Sequence, residues 1–156
     1  MGLSSQSKIT ASIREKLMNN AYQNKQIIQK LIQVVWQEQN IDALKDFWTE
    51  DCINHAMPRT DNRGLNALQV YHESLFADFS AFSNFQIEIL QQIAENDRVV
   101  TYIQSRGEHT GTFFQISPTG KSVSMSVIRI DQIQDGKIAE HWSVSDAGSL
   151  IQQLQN

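Results

Sequence analysis

Four histidines, His55, His72, His109 and His141, carry the most evident chemical potential of this chain. An unperturbed imidazole titrates near ~6.5, so each can take up or return a proton at neutral pH. His109 lies between Gly107 and Gly111, where glycines let backbone approach a ligand or bend a strand, although a satisfied strand histidine fits the same spacing. In the run from Lys137 to Asp146, alternation of period two puts Ile138, Glu140, Trp142, Val144 and Asp146 on one face, and His141, Ser143 and Ser145 on the other. With Ile138, Trp142 and Val144 taken as the interior face, Asp146 loses solvation beside them, which raises a carboxylate pKa toward the range useful for proton transfer. The same residue, followed by Ala-Gly-Ser-Leu-Ile, also reads as a helix N-cap. On this parity His141 faces away from the interior.

Other polar side chains are open to two readings. Tyr102 and Gln104 share a strand face and can hydrogen-bond a carbonyl oxygen as its charge develops, or simply edge a core. Arg129 and Asp131 share the face of another strand and suit a cross-strand charge pair better than a substrate clamp. His72 is expected at the surface edge of a helix, and His55, ahead of Pro58, can overhang a pocket mouth. No His-x-His or His-x₃-His spacing, glycine-rich phosphate loop or Walker pattern occurs, so neither a metal nor a cofactor is expected. Cys52, a lone cysteine, completes no zinc pattern or internal disulfide.

Those residues need elements to position them. Ile27, Ile28, Leu31, Ile32, Val35 and Trp36 form one apolar helical face between Asn24 and Gln39, and a short second helix covers Ile41 to Trp48. Thr49 to Met57 is extended, a polar loop follows Pro58, and Leu65 to Phe79 resumes helical spacing. From Phe85 the period falls to two, with turns at Asn96-Asp97 and Asp135-Gly136 joining extended runs, and the tail from Ala147 to Leu154 can form a last helical turn or two. Helices followed by antiparallel strands predict an α+β domain, a curved antiparallel sheet with three helices on one face and an apolar cone that can hold a small molecule. Residues 1–20 are expected to be a flexible lead-in and residues 21–156 a single domain.

Composition narrows the partners. A formal charge of −4 disfavours a general nucleic-acid surface, which needs clustered Lys and Arg. No stretch approaches the roughly 18 to 20 consecutive apolar residues of a membrane span, so no membrane association is expected, and the unpaired cysteine suits a cytoplasmic setting.

Three stretches in order carry a family resemblance: Asn96-Asp97-Arg98-Val99-Val100, then GEHTGTFFQISPTGKSV from Gly107 to Val123, then IRIDQIQDGKIAEHWSVSDAGSLIQQL from Ile128 to Leu154. They resemble the SnoaL-like polyketide cyclases, within the nuclear-transport-factor-two-like, cystatin-like superfold. The resemblance implies a cofactor-free acid/base enzyme, an aldol-type cyclase or isomerase, acting on a small apolar carbonyl compound. It also implies that Asp146, matching an aspartate at the end of the family's last strand, is the general acid/base. His109 is the second catalytic candidate, with Trp142, Tyr102, Gln104, His55, Glu140 and Phe114 expected to line the pocket. The strand Ser122 to Ile128 departs from a clear cyclase, offering serines and a methionine but no histidine. The alternative is a ligand-binding or dimerisation module that keeps the pocket without the chemistry. A homodimer is expected through the outward sheet face, on which His141, Ser143 and Ser145 are placed.

Overall fold

The computed structural model describes residues 5–156, and their side chains from residue 8 onward. Four helices, α1 (Ser5–Leu31), α2 (Leu44–Phe47), α3 (Gly64–Phe79) and α4 (Ala147–Gln155), pack with strands β1 (Trp48–Asn54), β2 (Phe82–Glu95), β3 (Arg98–His109), β4 (Ser122–Gln134) and β5 (Lys137–Ser145). Within the expected lead-in the chain is helical from Ser5, and residues 1–4 lie outside the described residues. Ile28, Leu31 and Val35 then bury completely against the sheet, as their helical spacing predicts.

After Leu31 the helix widens into one π-helical turn, Ile32–Gln37. There the Gln37 side chain donates to the Phe85 carbonyl and accepts from the Ile87 amide, both at 2.9 Å, tying the edge strand β2 to the helix. The five strands run in the order β1-β5-β4-β3-β2. Strands β2 to β5 are antiparallel neighbours, while β1 joins β5 in parallel.

Bulges, among them one on β2 and one on β5, set which side chains face inward. On β2, Ile89 pairs with Ile103 and Gln91 with Tyr102, leaving Leu90 as the extra residue. On β5, Ile138 pairs with Ile133 but Glu140 pairs with Gln132, leaving Ala139 extra. A bulge puts two residues opposite one and reverses the face of everything beyond it. Ile138 and His141 are therefore both buried inward, whereas simple alternation separates them.

The outer face of the sheet is apolar in consequence. Register aligns Ile93, Val100, Ile130 and Trp142 in one row and Tyr102, Ile128 and Val144 in the next. Ile93, Ile128 and Val144 are exposed there.

Asp146 caps α4. Its Oδ1 accepts from the Ser149 amide at 3.1 Å and the residue is exposed, satisfying one of the free amides at the helix start. Behind the cap, Leu150 and Leu154 bury against Phe82, Phe113 and Val123. Asp146→Ala should lower unfolding stability by about 0.5–2 kcal/mol, while Asp146→Asn, itself a good cap, should leave it nearly unchanged. Urea denaturation of the two variants measures the difference.

Candidate functional site

A cavity of about 170 Å³ lies between the concave sheet face and the helices. Its apolar wall comes from Ile32, Trp36, Trp48, Leu75, Phe79 and Phe85, and its polar groups from Asn54, Tyr71, His72, Arg129, His141 and Ser143. Each polar residue is placed by the element beneath it. His72 stands one helical turn beyond Leu68 on α3; Arg129 and Asp131 alternate inward on β4; His141 is brought opposite Asp131 by the β5 bulge.

Asp131 is the centre of the polar groups. It is fully buried, and Arg129 reaches it with two bonds, Nε to Oδ2 at 2.7 Å and a terminal guanidinium nitrogen to Oδ1 at 2.8 Å. The His141 Nδ1 lies 2.8 Å from Oδ1 and donates to it. Burial works against the carboxylate, yet Arg129 and His141 outweigh it and hold its pKa down at about 2. Because Nδ1 carries the proton, Nε2 of His141 is the basic nitrogen. Burial lowers the pKa of this ring, the Arg129 charge lowers it further, and Asp131 offsets them only in part. It is therefore a free base at neutral pH.

A second imidazole shares the cavity. His72 Nδ1 donates to the Leu68 carbonyl at 2.9 Å, and burial, with smaller contributions from Arg129 and His141, lowers its pKa to about 4. Its ring sits 5.0 Å from that of Trp36 and is tilted 49° to it. Burial also raises the Tyr71 pKa, so its phenol stays protonated and able to donate.

None of the residues expected to form the site lines this cavity. Asp146 is an exposed cap, and the face assignment that put it inside with Trp142 is reversed by the bulge. His109 is buried at a different place, beside Phe82; its Nδ1 accepts from the Thr119 amide at 3.2 Å and meets the Thr119 hydroxyl at 3.0 Å. The flanking glycines serve close packing on β2 and the residue before it, since a Cβ on Gly111 would come within 2.9 Å of the Ala81 Cα. Phe114 is 70% exposed.

The remaining candidates lie on the outer side. The Glu140 carboxylate is 2.9 Å from His55 Nε2, and the His55 ring stacks on Trp142 at 4.6 Å, with Arg98 over the same indole at 5.2 Å. Tyr102 reaches only the Ser126 hydroxyl, at 3.5 Å, and Gln104 accepts from Arg106 at 2.7 Å. His141, Ser143 and His72, expected on outward surfaces, instead line the cavity. Arg129 and Asp131 do form a charge pair, but along one strand, β4, and not across strands as expected.

The sequence profile of the SnoaL-like polyketide cyclases matches residues 26–154. The chain belongs to this family. Solved structures share the architecture of this SnoaL-like domain. TsrD from Streptomyces laurentii is 20% identical with a TM-score of 0.70, the alignment covering 85% of this chain and 95% of that one. A protein from Acidithiobacillus ferrooxidans, assigned provisionally as a polyketide cyclase, is 21% identical with a TM-score of 0.75, over 85% and 94% of the two chains. AclR from Streptomyces galilaeus, assigned provisionally as a hydroxylase, is 25% identical with a TM-score of 0.71, over 86% of each chain. No protein of curated function matches at a significant level. The SnoaL-like family thus sets the scaffold and the small-molecule pocket, while the chemistry must be argued from the side chains in this cavity. Among the described residues no group of three or more His, Cys, Asp or Glu is arranged to hold a metal, and no helix is long and apolar enough to cross a membrane.

The buried imidazoles predict how stability depends on pH. Above pH 6.5 neither the folded nor the unfolded chain protonates His72, and its contribution is constant. As pH falls from 6.5 toward about 4, the unfolded chain binds a proton that the folded one refuses, so stability falls, by about 3 kcal/mol for this ring alone. His141, lowered in the same direction, adds to the loss. Asp131 adds a further loss between pH 3.8 and about 2. Unfolding free energies at pH 7.5, 5.5 and 4.5 should decline in that order, and His72→Phe should flatten the decline; equal values would contradict the neutral-ring assignment.

Proposed function

We propose that the chain is a cofactor-free acid/base enzyme that removes and returns a proton next to a carbonyl, in an aldol-type ring closure or an isomerisation. The observation that carries this reading is the 2.8 Å bond between Asp131 and His141 on the wall of an apolar cavity. A carboxylate on Nδ1 fixes the tautomer with Nε2 basic and stabilises the imidazolium that forms when Nε2 takes a proton. In this scheme His141 removes the α-proton, and the enolate oxygen accepts a hydrogen bond from a donor such as the Tyr71 phenol. The enolate carbon attacks a second carbonyl of the same molecule, and the imidazolium returns its proton to the alkoxide so formed. In an isomerisation the proton returns to a different carbon.

Cavity size limits the substrate. At about 170 Å³ it is close to the ~150 Å³ space that holds one benzene ring, so the part of the carbonyl substrate seated inside is of about one ring. The proposed assembly is a homodimer, supported by the apolar rows on the outer sheet face in place of the serines first expected there.

Deuterium exchange at the α-carbon of small cyclic ketones, followed by proton NMR in D₂O, tests the chemistry without a known substrate. The wild-type chain should accelerate exchange. His141→Gln should reduce the rate by roughly 10²–10⁴, and Asp146→Asn should leave it unchanged. Ketones that quench the Trp36 and Trp48 fluorescence but exchange no faster than in buffer would favour the binding-module alternative.

A further inference from the structure

α1 is longer than the fold requires. The family profile begins at residue 26 and full burial at Ile28, yet the helix starts at Ser5. Every residue from Lys8 to Asn20 is exposed. Within that stretch Ile9, Ile13 and Leu17 recur every fourth residue and so form one stripe, 59%, 56% and 54% exposed, with Met18 and Tyr22 beside it. A helical segment of about a dozen residues is marginal in water unless an apolar face is packed, and Ser, Thr and Asn in this one do not improve its propensity. The stripe therefore calls for a covering surface.

Charge indicates which surface. Residues 1–25 hold Lys8, Arg14, Lys16 and Lys25 against Glu15, a net +3; with −4 for the whole chain, residues 26–156 carry −7. The arm is basic and the body acidic. Geometry excludes the arm's own body as cover. α1 passes the β2–β3 turn, where Asn24 donates to the Asn96 carbonyl at 3.4 Å, and it packs on the concave side, so a continuous helix cannot turn back onto the outer face. A second copy offers the complement: the outer rows built on Ile93, Tyr102, Ile128 and Val144, on an acidic body. On this face Glu88 stands 3.9 Å from Arg106 and Glu95 opposite Arg98, so the apolar rows rather than these carboxylates are the main contact.

We propose that residues 8–22 are an arm that lies on the outer sheet face of a second copy, the two copies exchanging arms across a two-fold axis. This rests on the homodimer reading and adds the element that holds it. A helix of fifteen residues is about 22 Å long and about 10 Å wide; counting both surfaces of two symmetric contacts, the arms bury about 900 Å². That lies just under the roughly 1,000 Å² of a stable interface, in the range of a weak, concentration-dependent dimer.

The test uses the full chain in sedimentation equilibrium, with thermal melts as a control for folding. Ile13→Asp combined with Leu17→Asp should raise the dimer dissociation constant by about tenfold or more. Arg14→Glu with Lys16→Glu should weaken the dimer less and reduce its sensitivity to salt. A photo-crosslinking residue in place of Leu17 should attach to β2, β3 or β4 of a second chain. A dimer unchanged by the aspartates, or a crosslink to another arm, overturns the arm and leaves the homodimer intact. A chain that stays monomeric at high micromolar concentration overturns both. Flotation of a monomeric chain with phosphatidylserine vesicles, lost in the aspartate variant, overturns the proposal by assigning the arm to a lipid surface.

Discussion

The polar interior depends on one carboxylate. Asp131 is removed from water in the middle of the sheet, which costs several kcal/mol unless its oxygens are satisfied. The guanidinium of Arg129 satisfies both, and His141 shares one of them. The pairing is also what makes the cavity a place for neutral imidazoles. A lone Asp131 would draw a proton onto His141; with Arg129 against it the pair is neutral overall, and burial keeps the ring uncharged. The β5 bulge at Ala139, the inward parity of β4 and the stand of His72 on α3 converge on this one group.

Much of the architecture is legible in the residues. Helical spacing marks the buried halves of α1 and α3, Asp135-Gly136 and Asn96-Asp97 mark the turns, and the three family stretches run from the β2–β3 turn through β3, β4, β5 and most of α4. What the residues conceal is which face of each strand looks inward. Alternation is read by assigning apolar side chains to the interior, and here Ile128, Ile130, Trp142 and Val144 face out while Arg129, Asp131 and His141 face in. Both choices have a physical reason. The inward polar groups satisfy one another around Asp131, and the apolar outer face is the one that the proposed homodimer would cover. The bulge could not be anticipated, because no glycine or proline stands at Ala139 to mark it. Asp146 reads in the sequence both as a cap and as a catalytic residue; the structure places it as the cap of α4, exposed and outside the cavity lining.

Two apolar surfaces left exposed on one chain, the arm stripe and the outer rows, belong to one problem. The cavity is lined by the chain's own strands and helices and by neither of these surfaces, so neither is needed to build it. The outer cluster of His55, Glu140, Trp142 and Arg98 fits the same division of labour: it locks the edge of β1 against β5 on the side away from the cavity. Scaffold and assembly are thus separable from chemistry, which is how one fold accommodates relatives assigned to different reactions.

The central claim is that His141 is a neutral base whose Nδ1–H is held by Asp131. Nitrogen-15 NMR of the histidine rings, followed from pH 8 to pH 5, measures this directly. The account predicts an unprotonated Nε2 and a protonated Nδ1 for His141 at pH 7, with protonation beginning only below the ordinary histidine value of 6.5. A His141 ring that is cationic at pH 7, or one that carries its proton on Nε2, would contradict it.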